Sequence, residues 1–345
     1  MITFKVTEEF DGCRIDKFLI EQENEILYSR TLIDKLIKGE KIFINSVFCK
    51  KKSHKIKVND RIIVNIDETI KQEQLPPLKE NIHLNIIYQD EYIAIINKPA
   101  GMTVHPAPGN KNGTLVNALL FHFDELSQSH LFRPGIVHRL DKDTSGLLII
   151  TKDNKTHFEM SELFMNRQIE KYYYAICSGA PDPLSGTIDL SIGKSKNSKL
   201  KMCVREDGKK AISHYKTLIN FEYFSLLEIR IETGRTHQIR VHLDSLNHPI
   251  VGDELYSSTI KSLSRCPSYK LSLLKSFLKK LEKKQMLHAY RLCFTHPSTN
   301  KKIDISIEMR DEMKKFLKFL KENFEYCEDA LPQFNSPPTP PQRGG

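Results

Sequence analysis

A polar stretch carrying Pro76-Pro77 divides this chain of 345 residues into two differently patterned parts. Consecutive prolines lack the amide hydrogens that a helix or a central strand needs, so residues 68–80 read as a linker. Ahead of it, residues 12–67 read as a small α+β unit. Arg14 to Ile20 has helical spacing. Ser29 can cap a second helix with apolar positions at Leu32, Ile33, Leu36 and Ile37, stopped at Gly39. The runs from Lys41 to Asn45 and from Arg61 to Ile66 are strand-like. Beyond the linker, residues 81–325 alternate helical pieces with β-rich runs at 92–97, 147–152, 171–177 and 224–232. Segments 271–284 and 309–324 read as helices, the first lysine-rich and on the surface. Residues 326–345 carry Pro332, Pro337, Pro338, Pro340 and Pro341 and read as a disordered tail. The longest unbroken apolar stretches have five or six residues, Tyr92 to Ile96 and Tyr172 to Cys177. A membrane helix needs about 20, so none is expected. The first residues include Lys5, Glu8 and Glu9, and no secretory signal is expected.

Charge narrows the partner. From Arg30 to Lys57 nine basic residues stand against Asp34 and Glu40, a net +7 in 28 residues. A salt-bridged helix face would mix the signs. A one-signed field of this density attracts polyanions, and nucleic acid is the commonest large one. Seven cysteines are scattered without a C-x-x-C pair. That pattern points to a reducing cytoplasm and away from disulfides and zinc knuckles.

The densest chemical text runs from Gly135 through His138, Arg139, Asp141, Lys142, Asp143, Thr144, Ser145 and Gly146 to Leu148. Asp141, Asp143, Ser145 and Gly146 fit the first half of a calcium loop, but Lys152 stands where the closing bidentate glutamate is required. An aspartyl phosphatase would share the D-x-D pair, but Ser145 and the preceding His138-Arg139 do not fit that signature. A serine hydrolase needs a G-x-S-x-G elbow, which Thr144-Ser145-Gly146 is not. Zinc between His237 and His242 fails because residues five apart on a helix point about 140° apart. Both histidines therefore read as structural, and Cys177 and Cys293 as core.

Two resemblances follow from ordered motifs. Arg14-x-Asp16-Lys17-Phe18-Leu19, Ser29-Arg30-x-x-Ile33, Gly39, Ile44-Asn45 and Val58-x-Asp60-Arg61-Ile62 resemble the S4 RNA-binding domain. That likeness implies RNA contacts from Arg14, Lys17, Arg30, Lys35 and Lys38, with pairing of Arg14 to Asp16 inside the fold as the bland alternative. Asn97-Lys98-Pro99-Ala100-Gly101, His138 to Leu147, Lys171-Tyr172-Tyr173-Tyr174-Ala175, Thr233 to His242 and Leu287 to Pro297 together resemble the RluA/RluD family of RNA pseudouridine synthases. His105 to Asn110 is worded most like the RluD branch, which acts on large-subunit ribosomal RNA.

The resemblance implies an α+β catalytic domain with a mixed, mainly antiparallel sheet and a central cleft. It implies Asp141 as nucleophile, attacking either C1′ of the ribose or C6 of the base. Arg240 is expected to keep that carboxylate ionised and to grip both its oxygens. Tyr173 is expected against the flipped uracil, assisting at the C5 proton, with Tyr172 and Tyr174 on the opposite strand face. Arg139 is expected to fill the gap left in the RNA or to touch phosphate, and Lys142 and Arg235 to contact RNA. The chemistry calls for no metal, redox group or other small-molecule cofactor. The expected protein is a cytoplasmic monomer whose partner is ribosomal RNA and not a membrane. Its rivals are a synthase acting on tRNA and a non-catalytic S4-type assembly protein.

Overall fold

The computed structural model describes residues 1–22, 27, 30–66, 77–106, 110–129, 133–198, 200–256, 266–280 and 285–328. The chain divides into two units, Met1–Pro76 and Pro77–Gly345.

In the first unit, strand β1 (Ile2–Lys5) comes before the expected start at residue 12. Helices α1 (Ile15–Glu21) and α2 (Arg30–Lys38) follow, then β2 (Ile42–Ile44), β3 (Val47–Phe48) and β4 (Arg61–Val64). The strands form one antiparallel sheet in the order β1-β4-β2-β3. The expected Ser29 cap lies outside the described residues. The apolar stripe of α2, Leu32, Ile33, Leu36 and Ile37, is buried against Ile15, Phe18 and Leu19 of α1 and against Ile42, Ile62 and Val64. Lys35 and Lys38 are exposed on the other side of α2, and Lys17 is exposed on α1.

The second unit begins with β5 (Ile86–Gln89), β6 (Ile93–Lys98), α3 (Leu115–His122), β7 (Ser145–Thr151), α4 (Asn154–Met165) and β8 (Glu170–Ser178). Strands β9 (Ser185–Asp189), β10 (Ile192–Lys194), β11 (Met202–Val204), β12 (Ile212–Phe221) and β13 (Phe224–Ile231) come next. Helices α5 (Gln238–Ser245) and α6 (Ser268–Lys280), strands β14 (Leu287–Thr295) and β15 (Lys302–Ser306), helix α7 (Asp311–Asn323) and strand β16 (Tyr326–Glu328) complete it. Among the described residues the main sheet has ten strands. Its path is β16-β12-β13-β8-β14-β7-β6-β5, with β15 added on β14 and β9 on β12. The pairing of β7 with β14 is parallel and the others are antiparallel, so the architecture is α+β on a mixed sheet.

The apolar runs at β6 and β7 are continuous because both faces of those strands are covered. Ile93, Ile95, Leu147 and Ile149 pack with Met160 of α4, whereas Ala94, Ile96, Leu148 and Ile150 join a cluster with Leu115, Ala118 and Leu119 of α3. Each of the isoleucine, leucine and methionine side chains contributes about 1.5–3 kcal/mol by leaving water. Thr114 and Asn117 close a reciprocal cap on α3, and Asp153 caps α4 through the Thr156 amide.

Two expectations shift. Residues 326–328, assigned to a disordered tail, form β16, which pairs with Ile219 to Phe221 of β12. A sheet edge supplies their amide partners, so no apolar pattern was needed to make them a strand. Helix α6 starts at Ser268, three residues ahead of the expected 271, and residues 281–284 lie outside the described ones. No helix among the described residues is long and apolar enough to cross a membrane.

Candidate active site

The separated motif blocks meet in a pocket of about 490 Å³ lined by Arg139, Asp141, Tyr173, Arg235, His237 and Arg240, among others. Asp141 sits in the turn that leads into β7. From the Asn97–Gly101 block, Lys98, fully buried, donates from Nζ to the carbonyls of Pro99 (2.8 Å), Met102 (2.9 Å) and Lys142 (3.1 Å). The Gly101 amide bonds the same Lys142 carbonyl at 2.8 Å. The backbone immediately after Asp141 is thus held twice. Gly146 then enters β7 at φ +115°, and a methyl group there would lie 2.1 Å from the Ala289 carbonyl oxygen. Only glycine permits the parallel contact of Gly146 with Ala289 on β14.

Arg240 comes from α5. The loop before it is fixed by buried Gln238, whose Oε1 accepts from Thr233 Oγ1 (2.7 Å) and the Arg235 amide (3.0 Å) and whose Nε2 donates to the Ile212 carbonyl at 2.9 Å. Arg240 Nη1 donates to Asp141 Oδ2 at 2.9 Å. The expected two-oxygen grip on Asp141 is corrected: the fork is on Asp253. Nε donates to Asp253 Oδ2 at 2.6 Å and Nη2 to Oδ1 at 2.9 Å. The Asp253 side chain is 1% exposed, and the amides of Leu255 and Tyr256 also bond its Oδ1. Because the fork spans Asp253, one donor remains for Asp141. Among the described residues Asp141 Oδ1 has no hydrogen-bond partner.

His237 is hydrogen-bonded, as expected of a structural residue, and it also lines the pocket. It starts α5 in the left-handed region, at φ 56°, which turns its ring into the pocket. Its Nε2 lies 4.0 Å from Asp141 Oδ2, and its Nδ1 is 2.8 Å from the Tyr256 hydroxyl. That hydroxyl accepts the Met202 amide at 2.8 Å, and the Tyr256 ring carries the Arg240 guanidinium 5.0 Å from its centroid. His242, by contrast, is buried and bonded to Ser213 Oγ and the Leu190 carbonyl, as a structural residue.

Electrostatics follow from this packing. Burial opposes the charge of Arg240, but Asp253 first and then Asp141 outweigh it, and its pKa is raised above the usual arginine range. Burial, and then the Asp141 charge, raise the Tyr173 phenol well above its ordinary range, so it stays protonated. Burial lowers His237 below the ordinary histidine value, with Asp141 pulling the other way.

The remaining sequence candidates fall as follows. Arg139 and Arg235 are exposed at the pocket, and Arg235 Nε donates to the Lys210 carbonyl at 3.1 Å. Lys142 is exposed, and its side chain does not line the pocket. Tyr174 lies on the face opposite Tyr173, stacked on Tyr290 at 3.8 Å. In the first unit Arg14 pairs with Asp16 through two bonds, 2.9 and 2.8 Å. Lys38 pairs with Asp34 at 2.6 Å, and the Arg30 side chain lies outside the described ones. Sequence reasoning missed Asp253, Tyr256 and Lys98 as parts of the site.

Comparison with known proteins identifies the family. The family model described as RNA pseudouridylate synthase matches residues 92–245, an interval that holds Asp141, Tyr173 and Arg240. The chain is 38% identical to an RNA pseudouridine synthase of Aquifex aeolicus over 94% of this chain and 98% of that one. It is 37% identical to the ribosomal large subunit pseudouridine synthase D of Zymomonas mobilis over 91% and 96%. Among solved structures, the human RNA pseudouridylate synthase domain containing 4 superposes with a TM-score of 0.52 at 27% identity, covering 70% of this chain and 94% of that one. The chain belongs to the RNA pseudouridine synthase family.

Proposed function

We propose that this protein isomerises uridine to pseudouridine in large-subunit ribosomal RNA, with Asp141 as nucleophile. The reaction breaks the bond from ribose C1′ to N1, turns the base and joins C1′ to C5; C5 loses a proton and N1 gains one. The 2.9 Å contact of Arg240 with Asp141 inside a pocket shared with Tyr173 supports this most. Arg240 holds Oδ2 and keeps the carboxylate anionic, while Oδ1 faces the substrate at C1′ or C6. Tyr173, protonated, lies against the flipped uracil in the cleft. Staying protonated, it positions the base for loss of the C5 proton and does not itself act as a phenolate base. Arg139 and Arg235 at the rim meet the RNA, as does Lys142.

The first unit serves as an S4 RNA-binding module. The exposed lysines of α1 and α2, with Lys50, Lys51, Lys52 and Lys55, support this reading. The protein works as a monomer in the cytoplasm, where its seven free cysteines stay reduced. The ribosomal substrate is inferred from the likeness to the large-subunit pseudouridine synthase D of Zymomonas mobilis. Replacing Asp141 by Asn keeps the shape and removes the anion. RNA binding should survive, and tritium release from RNA labelled at uracil C5 should vanish. Release near the wild-type rate would remove Asp141 from the role. Mapping pseudouridines in ribosomal RNA with and without the protein tests the substrate; an unchanged large-subunit map sinks it.

A further inference from the structure

Lys171 lies on β8 two residues before Tyr173, on the same strand face, and lines the same pocket. It is 7% exposed. Among the described residues its ammonium has no hydrogen bond and no ion pair. It sits over the Phe164 ring, 5.4 Å from the centroid. Everything packed around it leaves the charge unmatched. Leu292 of β14 and Ile231 of β13 are its register partners. Glu232, next after Ile231, is bonded by His214 and Arg167. The loop before β7 contributes His138, pushed down to about 3 by burial and then by Lys171 itself, and Asp141, which is held by Arg240. Burial pushes Lys171 down to about 8.

An unpaired ammonium in such a place costs stability, and an apolar side chain of the same length would not. Strained electrostatics of this kind, in a pocket, mark a group that waits for a ligand. Phosphates remain on the RNA backbone at the rim. The part of the substrate that reaches the pocket wall beside Tyr173 is the base. Uracil carries two carbonyl oxygens, and both gain negative charge as the bond from C1′ to N1 breaks.

We propose that Lys171 donates a hydrogen bond to a carbonyl oxygen of the flipped uracil and holds the base while its link to ribose is exchanged. This rests on the pseudouridine synthase reading. No proton passes to or from Lys171; it contributes charge and a fixed donor where charge develops.

Lys171→Met tests it, because the stem over Phe164 is kept and the charge removed. The single-turnover rate at saturating RNA should fall about tenfold or more, the scale of one charge-assisted hydrogen bond. RNA affinity should stay within about twofold, because phosphate contacts dominate it. Thermal stability should hold or rise. In the wild type, kcat/KM should decline as pH rises through about 8, where Lys171 loses its proton. That limb should be missing from Lys171→Met and from Lys171→Gln, and the Gln variant, which keeps a neutral donor, should turn over at an intermediate rate. A wild-type rate and an unaltered pH profile in Lys171→Met would overturn the assignment, as would lost stability with an unchanged alkaline limb. If the wild type itself releases no tritium from C5-labelled RNA, the fault lies with the synthase reading and not with Lys171.

Discussion

Arg240 serves two carboxylates unequally, and that division sets its aim. Asp253 takes the planar fork, so the guanidinium is oriented from behind while a single N–H reaches Asp141. Replacing Asp253 by Asn should therefore lower the saturated single-turnover rate by about 10- to 100-fold, equivalent to about 1.5–3 kcal/mol for a charge-assisted bond. Equilibrium binding of RNA should be preserved; a rate equal to wild type would separate Asp253 from Arg240. Asp141, Tyr173 and Arg240 could be picked out from sequence because each sits in a block whose neighbours also match. Asp253 could not. It stands beside Glu254 in an ordinary turn, and nothing in its spacing tells which of the two is buried. The place of His237 in the pocket was not legible for a related reason: helical periodicity says nothing of a residue placed at positive φ one step before the helix begins.

At the level of elements, legibility followed burial. The runs at β6, β7, β8 and β13 were readable to within a residue or two because covered strands must be apolar throughout or alternate cleanly. Strands β10, β11 and β16 are three residues each and, apart from buried Ile192, exposed or intermediate where described, so pairing and not composition defines them. Gly146 shows how one position can govern two elements. Gly146→Ala should destabilise the second unit by at least about 3 kcal/mol, from backbone strain together with overlap on β14. Denaturant unfolding would measure it, and a loss under about 1 kcal/mol would mean β7 and β14 can separate without cost.

For the whole molecule, the proposed function has the basic first unit and the pocket make separable contributions to RNA recognition. Changing Arg30, Lys35 and Lys38 to Gln should weaken binding at low salt and shrink the log–log salt slope by up to about two, at roughly 0.7 per contact with single-stranded RNA. The rate at saturating RNA should hardly change. An unaltered slope with a collapsed rate would instead make the first unit a structural support. The sheet order also bears on when activity can arise during synthesis. Strand β14 stands between β8, which carries Tyr173, and β7, which follows Asp141. A nascent chain that has emerged only as far as Lys280 already contains Asp141, Tyr173, Lys171, Arg240 and Asp253, yet it lacks the strand that sets their spacing. Activity is therefore expected to arise only once residues 287–295 have emerged and β14 can enter the sheet between β7 and β8.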